Sequence, residues 1–176
     1  MLTLPSIPRS ELAHVLHLLE RGCATTSPDD VQVLVQGMPI RFPYRVYYAR
    51  EDLRDACGVP GVTGRIALCL GTRHNDGYVR EECMRALLLA DEPWVVPFVL
   101  QLLGEYVLEI VTCIDSALSE QPPARYVSFA QENPLYMQRL GQQATSYWNE
   151  YYRRTYRRRD EYPALRLLGR LSRLSG

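Results

Sequence analysis

Apolar residues return at helical spacing along most of this chain. Leu12, Val15, Leu16 and Leu19 form one stripe behind Ser10, an N-cap with Glu11 in the first turn, and Gly22 reads as the stop. Residues 51–56 read as a helical turn before a Gly/Pro loop at 58–61. Ile66, Ala67 and Leu70 mark a short helix ending near Gly71. Val79, Cys83, Ala86, Leu87 and Ala90 repeat at i, i+4, i+7, i+8 and i+11, with Asp76 in position to cap them. Asp91-Glu92-Pro93 separates that helix from the next, predicted over 93–118. The latter is apolar around most of its circumference, interrupted only by Gln101, Glu105, Glu109 and Thr112, so it is expected at the centre of the molecule.

Residues 119–133 read as a loop around Pro122-Pro123 with a short turn at 127–131, and 135–158 as the last long helix. On that helix Ala144, Tyr147, Trp148, Tyr151, Tyr152, Thr155 and Tyr156 share a broad face, while Ser146, Glu150, Arg153, Arg154 and Arg157 project from the other. An amphipathic segment at 164–174 closes the chain with Leu165, Leu168, Leu171 and Leu174 inward. One stretch departs from the helical period. Val31, Val33 and Val35 alternate with polar residues, Gly37-Met38-Pro39 reads as a turn, and 41–48 can pair back as a second strand. A short helix over 31–36 fits the same residues, and Pro43 argues against a central strand, so both readings stand. The pattern predicts one mainly α domain over 1–176, a helical bundle with a small β-hairpin near 31–48 as the open alternative.

Composition narrows the class. A length of 176 residues and a hydrophobic share of 47% suit one folded domain with a substantial core. All 20 basic residues are Arg. Net charge is zero but unevenly spread: residues 139–176 carry +6 and the remainder −6, so a basic C-terminal region faces an acidic body. Such a layout suits pairing within the molecule, between copies in a homo-oligomer, or with an anionic partner. The five cysteines, Cys23, Cys57, Cys69, Cys83 and Cys113, have no Cys-x-x-Cys spacing. Free thiols on apolar faces and the lack of a signal-peptide run near the N-terminus lead to a cytoplasmic expectation. Residues 94–111 are apolar enough to test for a membrane span, but Glu105 and Glu109 near its centre make a buried helix the better reading and membrane association unexpected.

The stretch from Asp76 through Val79-Arg80, Cys83, Ala86 and Leu87, the turn at 91–93 and the apolar run 95–103 resembles one HEAT or armadillo-type helical repeat. The resemblance covers about residues 76–103. It implies a short α–α superhelix, a protein-binding role without catalysis, and Asp76 and Arg80 as linkers between repeats. No second copy occurs at the period of roughly 40 residues that such arrays show.

Candidate chemistry is sparse. Glu11-x-x-His14 has the spacing of a carboxylate-bridged di-iron motif, which needs a second copy and two more carboxylates, so an exposed helix N-terminus is the preferred reading and no metal is expected. No Gly-x-Gly-x-x-Gly, Walker or Gly-x-Ser-x-Gly motif is present, so no cofactor and no catalytic residue are assigned. A small enzyme would have to use Cys69, His74 or Glu105. Glu105 and Glu109, one turn apart on an apolar helix, are expected to be structural linkers, taking up Arg73, Arg80 or Arg85 in ion pairs. The Tyr/Arg segment 147–159 is the distinctive feature. Tyr147, Arg153, Arg154, Arg157 and Arg158 are the candidate partner-binding residues, because both residue types combine large contact area with a polar tip. The leading expectation is a non-enzymatic adaptor or inhibitor/immunity-type module that binds a protein. Nucleic acid, through the same segment, is the alternative, which zero net charge disfavours.

Overall fold

The computed structural model describes residues 2–19, 25–118 and 120–175. Gly22 and Cys23 lie outside them. Among the described residues the fold is mainly α, with one two-stranded antiparallel sheet. In order come α1 (Arg9–Leu19), β1 (Asp30–Val35), β2 (Met38–Pro43), α2 (Arg50–Cys57), α3 (Val62–Gly71), α4 (Gly77–Leu87), α5 (Val96–Leu100), α6 (Leu108–Leu118), α7 (Ala124–Glu132), α8 (Pro134–Tyr147) and α9 (Pro163–Ser175). No helix is long and apolar enough to cross a membrane among the residues described.

The hairpin is formed, pairing Asp30 with Pro43 and Val35 with Met38. Its turn is Gln36-Gly37, both at positive φ (54° and 76°), one residue earlier than Gly37-Met38-Pro39 suggests, because a two-residue turn of that hand matches strand twist. The second strand accordingly starts at Met38, and Pro43 ends it rather than excluding it. Val33, Val35, Ile40 and Phe42 turn inward, and Phe42 meets Phe98 of α5 with ring centroids 4.3 Å apart.

Asn133, just beyond α7, fixes the hairpin to the helices. Its side-chain carbonyl accepts from Leu34 N–H (2.8 Å), and its amide donates to Leu34 C=O (2.8 Å) and Phe129 C=O (2.9 Å). The amide thus covers part of an exposed sheet edge. We predict that Asn133→Ala costs about 1–3 kcal/mol, the range for leaving part-buried backbone groups unsatisfied. A urea midpoint shifted at constant slope checks it.

Four sequence expectations are corrected. The helix predicted over 93–118 is two pieces. A 3₁₀ turn, α5 and a second 3₁₀ turn run from Pro93 to Gly104, and the chain is extended at Glu105 (φ −117°, ψ 169°) before α6 restarts at Leu108. The break turns Glu105 inward to meet buried guanidinium groups, so long-range charge pairing overrides local helical propensity. Residues 124–132 form a helix, not a loop, because Tyr126, Phe129 and Ala130 share a buried face. The last long helix stops its α pattern at Tyr147, passes through a π turn at Trp148–Tyr152, and unwinds. Trp148 Nε1 donates to Tyr156 C=O (2.8 Å), and Tyr152 Oη donates to Tyr106 C=O, tying the unwound segment back. In α9 the buried stripe is Ala164, Leu167, Leu168 and Leu171, leaving Leu165 at its margin and Leu174 exposed.

Candidate functional site

Two neighbouring features stand out: a buried cluster of charge and an aromatic, arginine-bearing surface above it. Arg73 follows α3, Arg80 lies on α4, Arg45 follows the hairpin, and Glu105 occupies the break before α6. Arg73 and Arg80 are 0% and 2% exposed and Glu105 3%, so one carboxylate is buried among guanidinium groups. Glu105 Oε1 accepts from Arg73 Nη2 (2.7 Å) and lies 3.3 Å from Arg45 Nη1, while Oε2 is 2.8 Å from Arg80 Nε.

Three guanidinium groups face one carboxylate, and main-chain oxygens absorb the surplus positive charge. Arg73 also donates to Thr72 C=O (2.9 and 2.6 Å), and Arg80 to His74 and Asn75 C=O (2.9 and 3.0 Å). Burial pulls Arg73 down from its ordinary basicity, with Glu105 opposing the shift. The cluster joins α3, α4 and the α5–α6 break. It fits the linker role expected for Glu105 and adds Arg45, whose approach follows only from the path of the chain after β2. Glu109 is exposed and makes no ion pair among the described residues. Arg85 pairs within its own helix with Glu81 (2.8 Å).

His74 and Asp76 form the adjoining corner. His74 Nε2 lies 2.9 Å from Tyr48 C=O, while Nδ1 accepts the Asp76 backbone N–H (3.0 Å). That pairing requires a neutral ring with its proton on Nε2. Burial, with Arg50, Arg80 and Arg45 nearby, lowers the His74 pKa from 6.5, against the raising effect of the Tyr48 carbonyl. The unfolded chain therefore holds more protons between the lowered value and 6.5, and stability increases with pH through that window. We predict that stability is complete above 6.5 and lost as pH falls below it, and that His74→Asn flattens this dependence. Urea midpoints across the window read the slope.

Asp76 caps α4 by accepting Tyr78 N–H (2.8 Å) and pairs with Arg50. Both His74 nitrogens are engaged, and burial pushes the Cys69 thiol well up, so no activated Cys–His pair is assembled there. Glu11 accepts from Thr63 Oγ1, and His14 is exposed.

The surface begins at Tyr147, whose phenol lies within electrostatic reach of Tyr44, Glu105 and Arg45. A ladder of rings passes through it. Ring centroids are 6.0 Å apart for Tyr106–Tyr147, 6.1 Å for Tyr147–Tyr151, 6.3 Å for Tyr151–Tyr152 and 5.4 Å for Tyr152–Tyr162. The Tyr162 end is core, and Trp148 beside the ladder is buried too. Tyr106 and Tyr151 are open to solvent, 55% and 62% exposed. Beside them Arg153, Arg154 and Arg157 are exposed and form no ion pair among the described residues. Arg153 reaches Asn149 Oδ1 (3.2 Å) and lies over the Trp148 ring at 5.8 Å. Arg158 pairs with Asp160.

The predicted arginine face of a straight helix is therefore a turn, with Arg153 over the Trp148 ring and Arg154 and Arg157 exposed beside it. Tyr106 and Arg45 join this region from distant parts of the sequence, and no local signal foretells them. Comparison with protein-family models, curated proteins and solved structures gives no match to this chain.

Proposed function

We propose that this chain is a non-enzymatic interaction module that grips an acidic segment of a protein partner with its tyrosine–arginine surface. The observation that carries the reading is the juxtaposition of exposed Tyr106 and Tyr151 with Arg153, Arg154 and Arg157, none of which pairs with an acid among the described residues. Tyr and Arg dominate interface hot spots, and unpaired guanidinium groups favour carboxylates, which they bind bidentately. The Trp148 ring holds the Arg153 guanidinium, which lowers the ordering cost of binding at that position. The resemblance of 76–103 to one HEAT or armadillo-type repeat agrees with a binding role, and the free thiols agree with a reducing, cytoplasmic setting. An adaptor or an inhibitor/immunity-type protein fits this description.

The test is capture from the native host with the wild-type chain and with the Arg153→Glu/Arg154→Glu/Arg157→Glu triple variant, after nuclease treatment. A protein retained by the first and lost by the second supports the proposal. Equal retention by a folded triple variant removes this surface from it. Capture that disappears with nuclease transfers the surface to nucleic acid.

A further inference from the structure

Cys57 and Cys83 line one cavity beside α3. Cys57 is the last residue of α2, and Cys83 lies in the middle of α4. Both helices pack against α3, and between them is a cavity of about 450 Å³ with Leu68 of α3 on its wall. Both cysteines line this cavity, and their thiols lie near enough to perturb one another's proton affinity. Cys57 is half-buried and Cys83 buried.

A Cβ at Gly71 would lie 2.2 Å from Cys83 Sγ and 3.5 Å from Leu53 Cδ2, so the sulfur packs directly on the α3 backbone. Charged groups on the cavity wall are Arg50, Arg54, Glu51 and Glu82.

The geometry points to Cys57 and Cys83 as a peroxide-reactive dithiol, with Cys57 the attacking sulfur and Cys83 the resolving one. The more accessible sulfur is the one that an oxidant entering the cavity meets first. The neighbouring Cys83 thiol lowers the Cys57 pKa, against burial and Glu82, while Cys57 and burial together push Cys83 up. The thiolate is the nucleophile in such chemistry, and the greater accessibility of Cys57 gives it the first step.

In the first step the Cys57 thiolate attacks one oxygen of hydrogen peroxide, and the O–O bond breaks. Hydroxide leaves, is protonated to water, and a sulfenic acid remains. In the second step the Cys83 sulfur attacks the Cys57 sulfur. The S–S bond forms, the S–O bond breaks, and the Cys83 proton leaves with the hydroxyl group as a second water. Two thiols are oxidised and one peroxide is reduced to two waters. The product ties α2 to α4 across α3. The site is separate from the tyrosine–arginine surface, so its test is independent of the proposed function.

The experiment treats the folded full chain with hydrogen peroxide, blocks remaining thiols, and digests with trypsin without reduction. Cleavage after arginine releases Cys57 in peptide 55–65 and Cys83 in peptide 81–85. The expected result is these two peptides linked, with a mass two hydrogens below their sum. Cys83→Ser should stop at a dimedone-reactive sulfenic acid on Cys57, and Cys57→Ser should leave Cys83 unoxidised. Oxidation of wild-type protein that falls first on half-buried Cys113, or ends at an over-oxidised Cys57 without the linked pair, overturns the proposal. The wild-type measurement stands even if a variant fails to fold.

Discussion

Glu105→Gln is expected to destabilise the fold by about 3–5 kcal/mol, the cost of removing one partner from a buried ion pair. The side chain keeps its shape, so packing barely changes. What changes is charge: Arg73 and Arg80, both essentially without solvent contact, lose the carboxylate that Arg45 also approaches. Guanidinium groups do not shed their proton at accessible pH, so the surplus cannot be titrated away. The new amide also turns an N–H₂ toward donors that need an acceptor. Against a total stability of about 5–15 kcal/mol for a domain, the loss should lower the urea midpoint sharply.

Two controls separate charge from position. Glu109→Gln, on the exposed side of α6, should stay within about 0.5 kcal/mol of wild type. Adding Arg73→Met to Glu105→Gln should recover part of the loss, because it removes one uncompensated buried cation and the unpartnered Arg73 Nη1 with it. A double variant no more stable than Glu105→Gln alone would show that surplus charge is not the cause.

The same cluster explains which parts of the architecture are legible from the residues alone. Local signals carry α1, α3 and α4. Asp76 caps as its type and position suggest, and Val15, Leu19, Ile66, Ala67, Cys83 and Leu87 face inward at the expected spacing. Even the hairpin follows from alternation, although its turn needed the positive φ of Gln36 and Gly37 to be located. Non-local interactions defeat the pattern. Residues 93–118 have the periodicity of one helix, yet the opportunity to bury the Glu105 carboxylate among arginines 25 to 60 residues away breaks it. Likewise the period of 135–158 continues past Tyr147, but Trp148 and Tyr152 find acceptors on Tyr156 and Tyr106 that a continuing helix would not offer. Of the candidate site, Tyr147 and the arginines were visible as a cluster of residue types. Tyr106, Tyr44 and Arg45 were not, because they reach the same region only through the fold.

The charge reversal Arg153→Glu/Arg154→Glu/Arg157→Glu is expected to weaken partner binding by at least about 2–4 kcal/mol, or roughly 30- to 1,000-fold in Kd. The lower figure corresponds to a single hot-spot residue. The upper figure allows for repulsion between the introduced carboxylates and an acidic partner, held below the sum of three because hot spots are not additive. The cost to the fold should be small. Each side chain is exposed and unpaired with an acid among the described residues, and only Arg153 gives up a ring contact, worth about 0.5–1 kcal/mol at an exposed site. Tyr151→Ala should weaken binding without altering its salt dependence, since it removes contact area but no charge. A protein partner held by a few carboxylate contacts should show a shallow decline with ionic strength. Phosphate binding instead releases condensed counterions, with a log–log slope of about −0.9 for each duplex phosphate contact. Binding that keeps full strength in the triple variant, or that falls with such a phosphate slope in the wild type, would take the acidic protein segment off this surface.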